Sequence, residues 1–193
     1  MTNFSIYFQL GFNHIANFGA LDHILFMAAL TLRYQFSDWK RLLILVTAFT
    51  IGHTITLALS VVDIIDFSAK WAEFLISVTI AITAFSNYFV KKFNYTNKFP
   101  FIYWAALFFG LIHGLGFSNN LKMIIGKGSG LFVKFLAANI GIETAQIIFV
   151  LAMLIVGFIC TQLIKINRRE YLLFVSGIIL GIATYIAVLR LPF

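Results

Sequence analysis

The chain is expected to be an all-α integral membrane protein, a bundle of six transmembrane helices, and three observations predict it. Of its 193 residues 61% are hydrophobic and only 11% charged, against about a quarter charged in soluble domains. The mean hydropathy is +0.96. The apolar residues also fall in runs of membrane-spanning length, about 20 residues each, at roughly 12 to 32, 42 to 62, 71 to 90, 100 to 118, 131 to 160 and 171 to 190. Helices are required because lipid offers the backbone no hydrogen-bonding partner. Barrel strands would alternate polar and apolar residues in pieces of about ten, which is not seen. Short connections make 1–193 a single polytopic domain.

The first run holds Leu21-Asp22-His23-Ile24-Leu25-Phe26. A carboxylate at the bilayer centre costs roughly 2.5 to 3.5 kcal/mol, so an intramembrane acid beside an imidazole marks a functional site whose partners must be found. No basic segment precedes this run, so a cleaved signal peptide is not expected. The second run carries Thr50, His53 and Thr54 on one face. The third carries Glu73, Ser77 and Asn87, the fourth His113 among glycines, and the fifth Asn139, Glu143 and Gln146 on one face. The fifth is longer than a bilayer needs and is expected to tilt or to begin outside it. Polar stripes of this kind face a bundle interior or a watery cavity.

The net charge of +7 comes from loop clusters that act as topology signals and lipid-headgroup anchors, which argues against a nucleic-acid partner. Arg33, Lys40, Arg41, Lys91, Lys92, Lys98, Lys165, Arg168 and Arg169 lie in odd-numbered loops. Lys70, Lys122, Lys127, Lys134 and Arg190 lie on the other side, and nine against five places both termini on the non-cytoplasmic face. The one cysteine, Cys160, excludes an internal disulfide. Asn3-Phe4-Ser5 and Asn94-Tyr95-Thr96 match the glycosylation sequon, a pattern short enough to arise by chance.

Two stretches can be overlaid, Ala48-Phe49-Thr50-Ile51-Gly52-His53-Thr54 on Ala137-Ala138-Asn139-Ile140-Gly141-Ile142-Glu143. A similar offset sets Phe18-Gly19 against Phe109-Gly110. Two three-helix halves would be inverted in the membrane, with a substrate site where they meet. The competing reading is chance similarity between helices rich in Gly and Ala.

All four histidines, His14, His23, His53 and His113, lie in or at the mouth of these runs. A single membrane histidine is often only a hydrogen-bonding group between helices; four, accompanied by Asp22, Glu73 and Glu143, point to a site. With both termini outside, His14 and Glu73 lie near the outer ends and His113, Asn139 and Glu143 in the outer portion. Asp22, His23 and His53 lie near the middle, completing a funnel. Imidazole and carboxylate without thiolate suit a borderline divalent metal, nickel, zinc or cobalt, over copper(I). His14 and His23 are nine residues apart, about 13 Å on a continuous helix. They can share one ion only if the helix breaks, near Gly19.

The ordered set Gly11-Phe12-x-His14, Leu21-Asp22-His23-Ile24-Leu25-Phe26, Thr47-Ala48-Phe49-Thr50-x-x-His53-Thr54, Phe109-Gly110-Leu111-x-His113-Gly114-x-Gly116-Phe117 and Asn139-x-Gly141-x-Glu143-x-x-Gln146 resembles the HupE/UreJ family of hydrogenase and urease accessory membrane proteins. The resemblance implies a small multi-pass protein of the bacterial inner membrane, in contact with lipids and with metalloenzyme maturation partners. It implies handling of nickel or another divalent transition metal, as a permease or as an accessory protein. The metal ligands it implies are His14, Asp22, His23, His53, His113 and Glu143, supported by Thr50, Thr54, Glu73, Asn139 and Gln146. No Gly-x4-Gly-Lys-Ser/Thr nucleotide loop is present, so transport would be secondary. The alternative reading is an intramembrane zinc hydrolase with three histidines on zinc and Asp22 or Glu143 as general base.

Overall fold

The computed structural model describes residues 3–17, 21–91, 93, 101–125 and 130–193, with the side chains of Asn3 and 118–125 left aside. These residues form seven α-helices, with no strand among them: α1 Asn3–Ala16, α2 Leu21–Thr31, α3 Trp39–Val61, α4 Ala69–Ser86, α5 Phe101–Ile125, α6 Leu131–Phe158 and α7 Arg168–Leu189. A five-residue π-helix, Ile159–Leu163, extends α6. The Asn167 side chain caps α7, accepting from the amides of Arg169 and Glu170.

The expected first span, 12 to 32, is two helices. α1 stops at Ala16 and α2 starts at Leu21, so the chain does break around the expected place, although Gly19 itself lies outside the described residues, as do Lys92, Lys98, Lys127 and Asn94-Tyr95-Thr96. Among the described residues, four helices are long and apolar enough to cross a membrane: Phe36–Val61, Ala69–Phe89, Leu131–Leu163 and Arg168–Leu189. The sequence expectation of six is therefore not matched helix for helix. With 11 residues, α2 is only about 17 Å long, little more than half a hydrocarbon core. α5 runs over 25 residues, Phe101–Ile125, with Ser118-Asn119-Asn120 interrupting its apolar sequence.

Side chains sort as a bilayer demands. Ile44, Ile51, Ile55, Ile155, Phe174, Ile178 and Tyr185 point outward, while Thr50, His53, Ser77, Thr79, Thr83, Asn87, His113, Gln146 and Ser176 are buried. Apolar surface outside and polar groups inside reverse the arrangement of a soluble bundle.

α3 packs along α5, α1 along α6 and α4 along α7. The first two pairs run parallel. Leu57 meets Phe117 where Phe49 meets Gly110 lower down, and Lys134 stands over the Tyr7 ring while Ala138 meets Gly11. The α4–α7 pair is antiparallel, with Glu73 near Arg190 at one end and Tyr88 bonded to Arg169 at the other. The end where α1, α4 and α6 begin is here called the upper end.

Glycines set how closely the parallel pairs approach. A Cβ on Gly52 would lie 2.1 Å from the Leu107 carbonyl oxygen, and one on Gly110 2.1 Å from that of Phe49. On the other pair, a Cβ on Gly141 would lie 2.1 Å from the Phe8 oxygen and one on Gly11 1.9 Å from that of Ala138. In each case the oxygen belongs to the residue three before the partner helix's own glycine. The two crossings are therefore the same crossing, with α6 in the place of α3 and α1 in the place of α5. Gly52 and Gly141 correspond as the sequence overlay has them. The described counterpart of Gly110 is Gly11, eight residues before the Gly19 of the overlay, because α1 rather than α2 makes the crossing.

Gly52→Ala is accordingly expected to force α3 and α5 apart, costing about 1–3 kcal/mol or more. Gly181→Ala, where nothing lies within 4 Å, should be neutral or slightly stabilising, since alanine favours helix by about 1 kcal/mol. Thermal unfolding of the two variants in detergent distinguishes these outcomes.

Candidate metal centre

The break between α1 and α2 brings the last turn of one helix against the first turn of the next. His14 and His23, which a continuous helix would hold far apart, have ring centroids 4.7 Å apart. His53 from the middle of α3 completes the group at 5.9 Å from each. One ligating atom from each of the three lies within 4.8 Å of the others. His14 is stacked on Phe117, with centroids 3.6 Å apart.

His113 stands beside this group, its ring 5.2 Å from that of His23. Its Nε2 is 3.1 Å from Thr79 Oγ1. The Thr79 hydroxyl also bonds the Ile76 carbonyl at 2.7 Å; with its one proton there, it would accept from the imidazole. In that arrangement the His113 proton sits on Nε2 and Nδ1 offers its lone pair. Phe26 and Phe49 pack on His113 from the lower side, each with centroids 5.0 Å away.

The nitrogens of this group are poorly satisfied by the protein. His14 Nε2, both nitrogens of His23, both of His53 and His113 Nδ1 are buried without a hydrogen-bond partner among the described residues. A buried polar atom left unmade costs about 1–3 kcal/mol, so such a concentration on three converging helices and a neighbour is the pattern of a ligand site. Neutral imidazole nitrogens fit a borderline divalent cation.

A family model described as HupE / UreJ protein matches residues 1–190, nearly the whole chain. The chain belongs to the HupE/UreJ family. The motif resemblance in the sequence is thereby confirmed, and the family is one linked to nickel and cobalt handling. No curated protein and no solved structure matches this HupE/UreJ chain.

The carboxylates of this HupE/UreJ protein have other partners. Both oxygens of Asp22 accept from Arg190 Nη1, at 3.0 and 2.9 Å. The same nitrogen is 3.4 Å from Ser77 Oγ, and Arg190 Nε is 3.7 Å from Glu73 Oε2. Glu143 accepts from Thr47 Oγ1 at 2.7 Å, Gln146 Oε1 from Thr50 at 2.8 Å, and Asn139 Oδ1 from Thr54. The structure thus gathers His14, His23 and His53, with His113 adjacent. Asp22 and Glu73 form a cluster around Arg190 at the upper end, and Glu143, Asn139, Gln146, Thr50 and Thr54 form a polar seam between α3 and α6.

Sequence reading missed Arg190, counted there only as a topology charge, and Thr79. A signal for Thr79 was present: Thr79, Thr83 and Asn87 recur at four-residue spacing, on one face of α4 and of the turn that follows it. All three are buried.

Proposed function

We propose that this HupE/UreJ protein is a secondary permease for a nickel-like divalent cation, which it binds within the membrane through His14, His23 and His53. The observation that carries this reading is the convergence of three imidazoles, from three helices, on one buried place where five of their six nitrogens have no hydrogen-bond partner among the described residues. Nitrogen donors replace part of the hydration shell of nickel, zinc or cobalt in a way that oxygen-preferring calcium or magnesium would not require. The matched glycine crossings support a chain built from two inverted halves, α1 to α4 and α5 to α7, and in secondary transporters of that build the substrate site lies where the halves meet. On this reading α1 and α2 together make one crossing and α5 makes another; six crossings put both termini on one face, which the nine-to-five count of basic residues makes the non-cytoplasmic one. Delivery of the metal to hydrogenase or urease maturation partners would follow from the family's association.

The test is metal uptake into proteoliposomes holding a fluorescent indicator, for nickel, zinc and cobalt, with and without a proton gradient. Uptake faster than in empty vesicles is expected for at least one of these ions; rates equal to empty vesicles throughout overturn the permease. The orientation is tested separately in cells. A cysteine replacing Ser5 should react with a membrane-impermeant reagent added outside the membrane, and labelling only from the cytoplasmic side would reverse it.

A further inference from the structure

Resting on the permease reading, we propose a second metal position just below the first, centred on His113 Nδ1, which the cation reaches by exchanging His14 for His113 while His23 stays bound. His23 lies between the two, its ring 4.7 Å from that of His14 and 5.2 Å from that of His113. Neither of its nitrogens has a partner among the described residues, so it can face either neighbour.

The levels of the two positions are fixed by α5. His14 stacks on Phe117, and His113 lies four residues earlier on that helix, about 6 Å lower at 1.5 Å per residue. Thr79 holds the His113 ring by Nε2, which presents Nδ1 as the free donor. His14 is partly exposed and His113 fully buried, so the first position lies nearer the surface of the bundle than the second. Beneath His113 the rings of Phe26 and Phe49, 4.9 Å apart, close the way downward. From Thr79 the buried stripe Thr83 and Asn87 continues along α4 to Arg33 and Ser176, whose side chains bond Asn87 at the lower end.

The repeated crossing gives an independent reason. His14 follows Gly11 by three residues and His113 follows Gly110 by three, and those two glycines hold equivalent places in the α1–α6 and α5–α3 crossings. His14 and His113 are therefore counterparts under exchange of the halves. In a protein of inverted halves, a residue serving the site from one side has its counterpart serving from the other. His14 is then the ligand of the upward-open state and His113 that of the downward-open state.

The experiment compares wild type, His14→Gln, His113→Gln, the double variant and His23→Gln, using cobalt and nickel salts as probes. Equilibrium dialysis and the cobalt absorption spectrum read binding in detergent, and indicator-loaded liposomes read uptake. If either histidine can complete the set, each of the two single variants retains one bound ion with altered cobalt bands. The double variant should then bind at least about a hundredfold more weakly, a non-additivity that independent sites would not show. His113→Gln should also slow uptake at least about tenfold while its binding persists. Wild-type spectrum and uptake in His113→Gln would overturn the exchange, and so would loss of all binding in His113→Gln to the level of His23→Gln, which would make His113 a permanent ligand. Absence of uptake by wild type would remove the permease reading alone, since the double-variant comparison needs binding only. Should His113→Gln fail to fold, Thr79→Val keeps the ring and removes its anchor: slower uptake with retained binding is expected, and unchanged uptake would overturn the proposal.

Discussion

His23→Ala is expected to weaken nickel or cobalt binding on the order of a hundredfold or more, since loss of a partner that merely orients a ligand already costs about 10- to 100-fold. The reason is position. His23 touches all three other imidazoles, at ring separations of 4.7, 5.9 and 5.2 Å, so its removal disrupts every way of completing the coordination. His53→Ala should have a comparable effect on binding. Because a protonated imidazole cannot ligate, protons compete with the metal and affinity should fall as pH is lowered. Dialysis across a pH series checks both statements. Metal content unaffected by His23→Ala and by His53→Ala would leave these imidazoles as packing groups.

Arg190→Ala should produce the second large effect, this time on stability. Its guanidinium nitrogen meets both Asp22 oxygens, and the two side chains are only 31% and 17% exposed. Breaking a fully buried pair by removing one partner costs about 3–5 kcal/mol; partial exposure reduces the expectation here to about 1–3 kcal/mol. Asp22→Asn, which keeps an oxygen acceptor, should cost less. The double variant Asp22→Asn with Arg190→Ala should be more stable than Arg190→Ala alone, because no unpaired carboxylate remains. Thermal unfolding in detergent gives the comparison. Equal melting of Arg190→Ala and wild type would mean that the pair contributes nothing to holding the first turn of α2 against α7.

That pair also shows where sequence reading ran out. Asp22 and His23 stand out in an apolar run because lipid makes them expensive, and the same argument singles out His14, His53 and His113. What hydropathy does not carry is direction. Asp22 and Arg190 are separated by 168 positions, and nothing local distinguishes an arginine that anchors to headgroups from one that reaches a carboxylate. Glu143 reads as a ligand by type, and its hydrogen-bond donor Thr47 lies 96 positions away. The division of the first run was legible only as a condition: His14 and His23 needed a break to meet. No proline marks it, and tertiary contacts decide it, since α1 turns to cross α6 at Gly11 and Gly141 while α2 packs against α4, α6 and α7. The orientation of His113 depended likewise on Thr79, whose hydroxyl lies within bonding distance of both the imidazole and the Ile76 carbonyl.

The central claim is that His14, His23 and His53 form one metal site inside the bundle, and X-ray absorption at the nickel K-edge of the nickel-loaded protein tests it most directly. Three imidazole nitrogens in the first shell are expected for wild type, with at least one lost in His23→Ala or no nickel retained by that variant. A shell of oxygens alone, or a wild-type spectrum reproduced unchanged by His23→Ala, would contradict it.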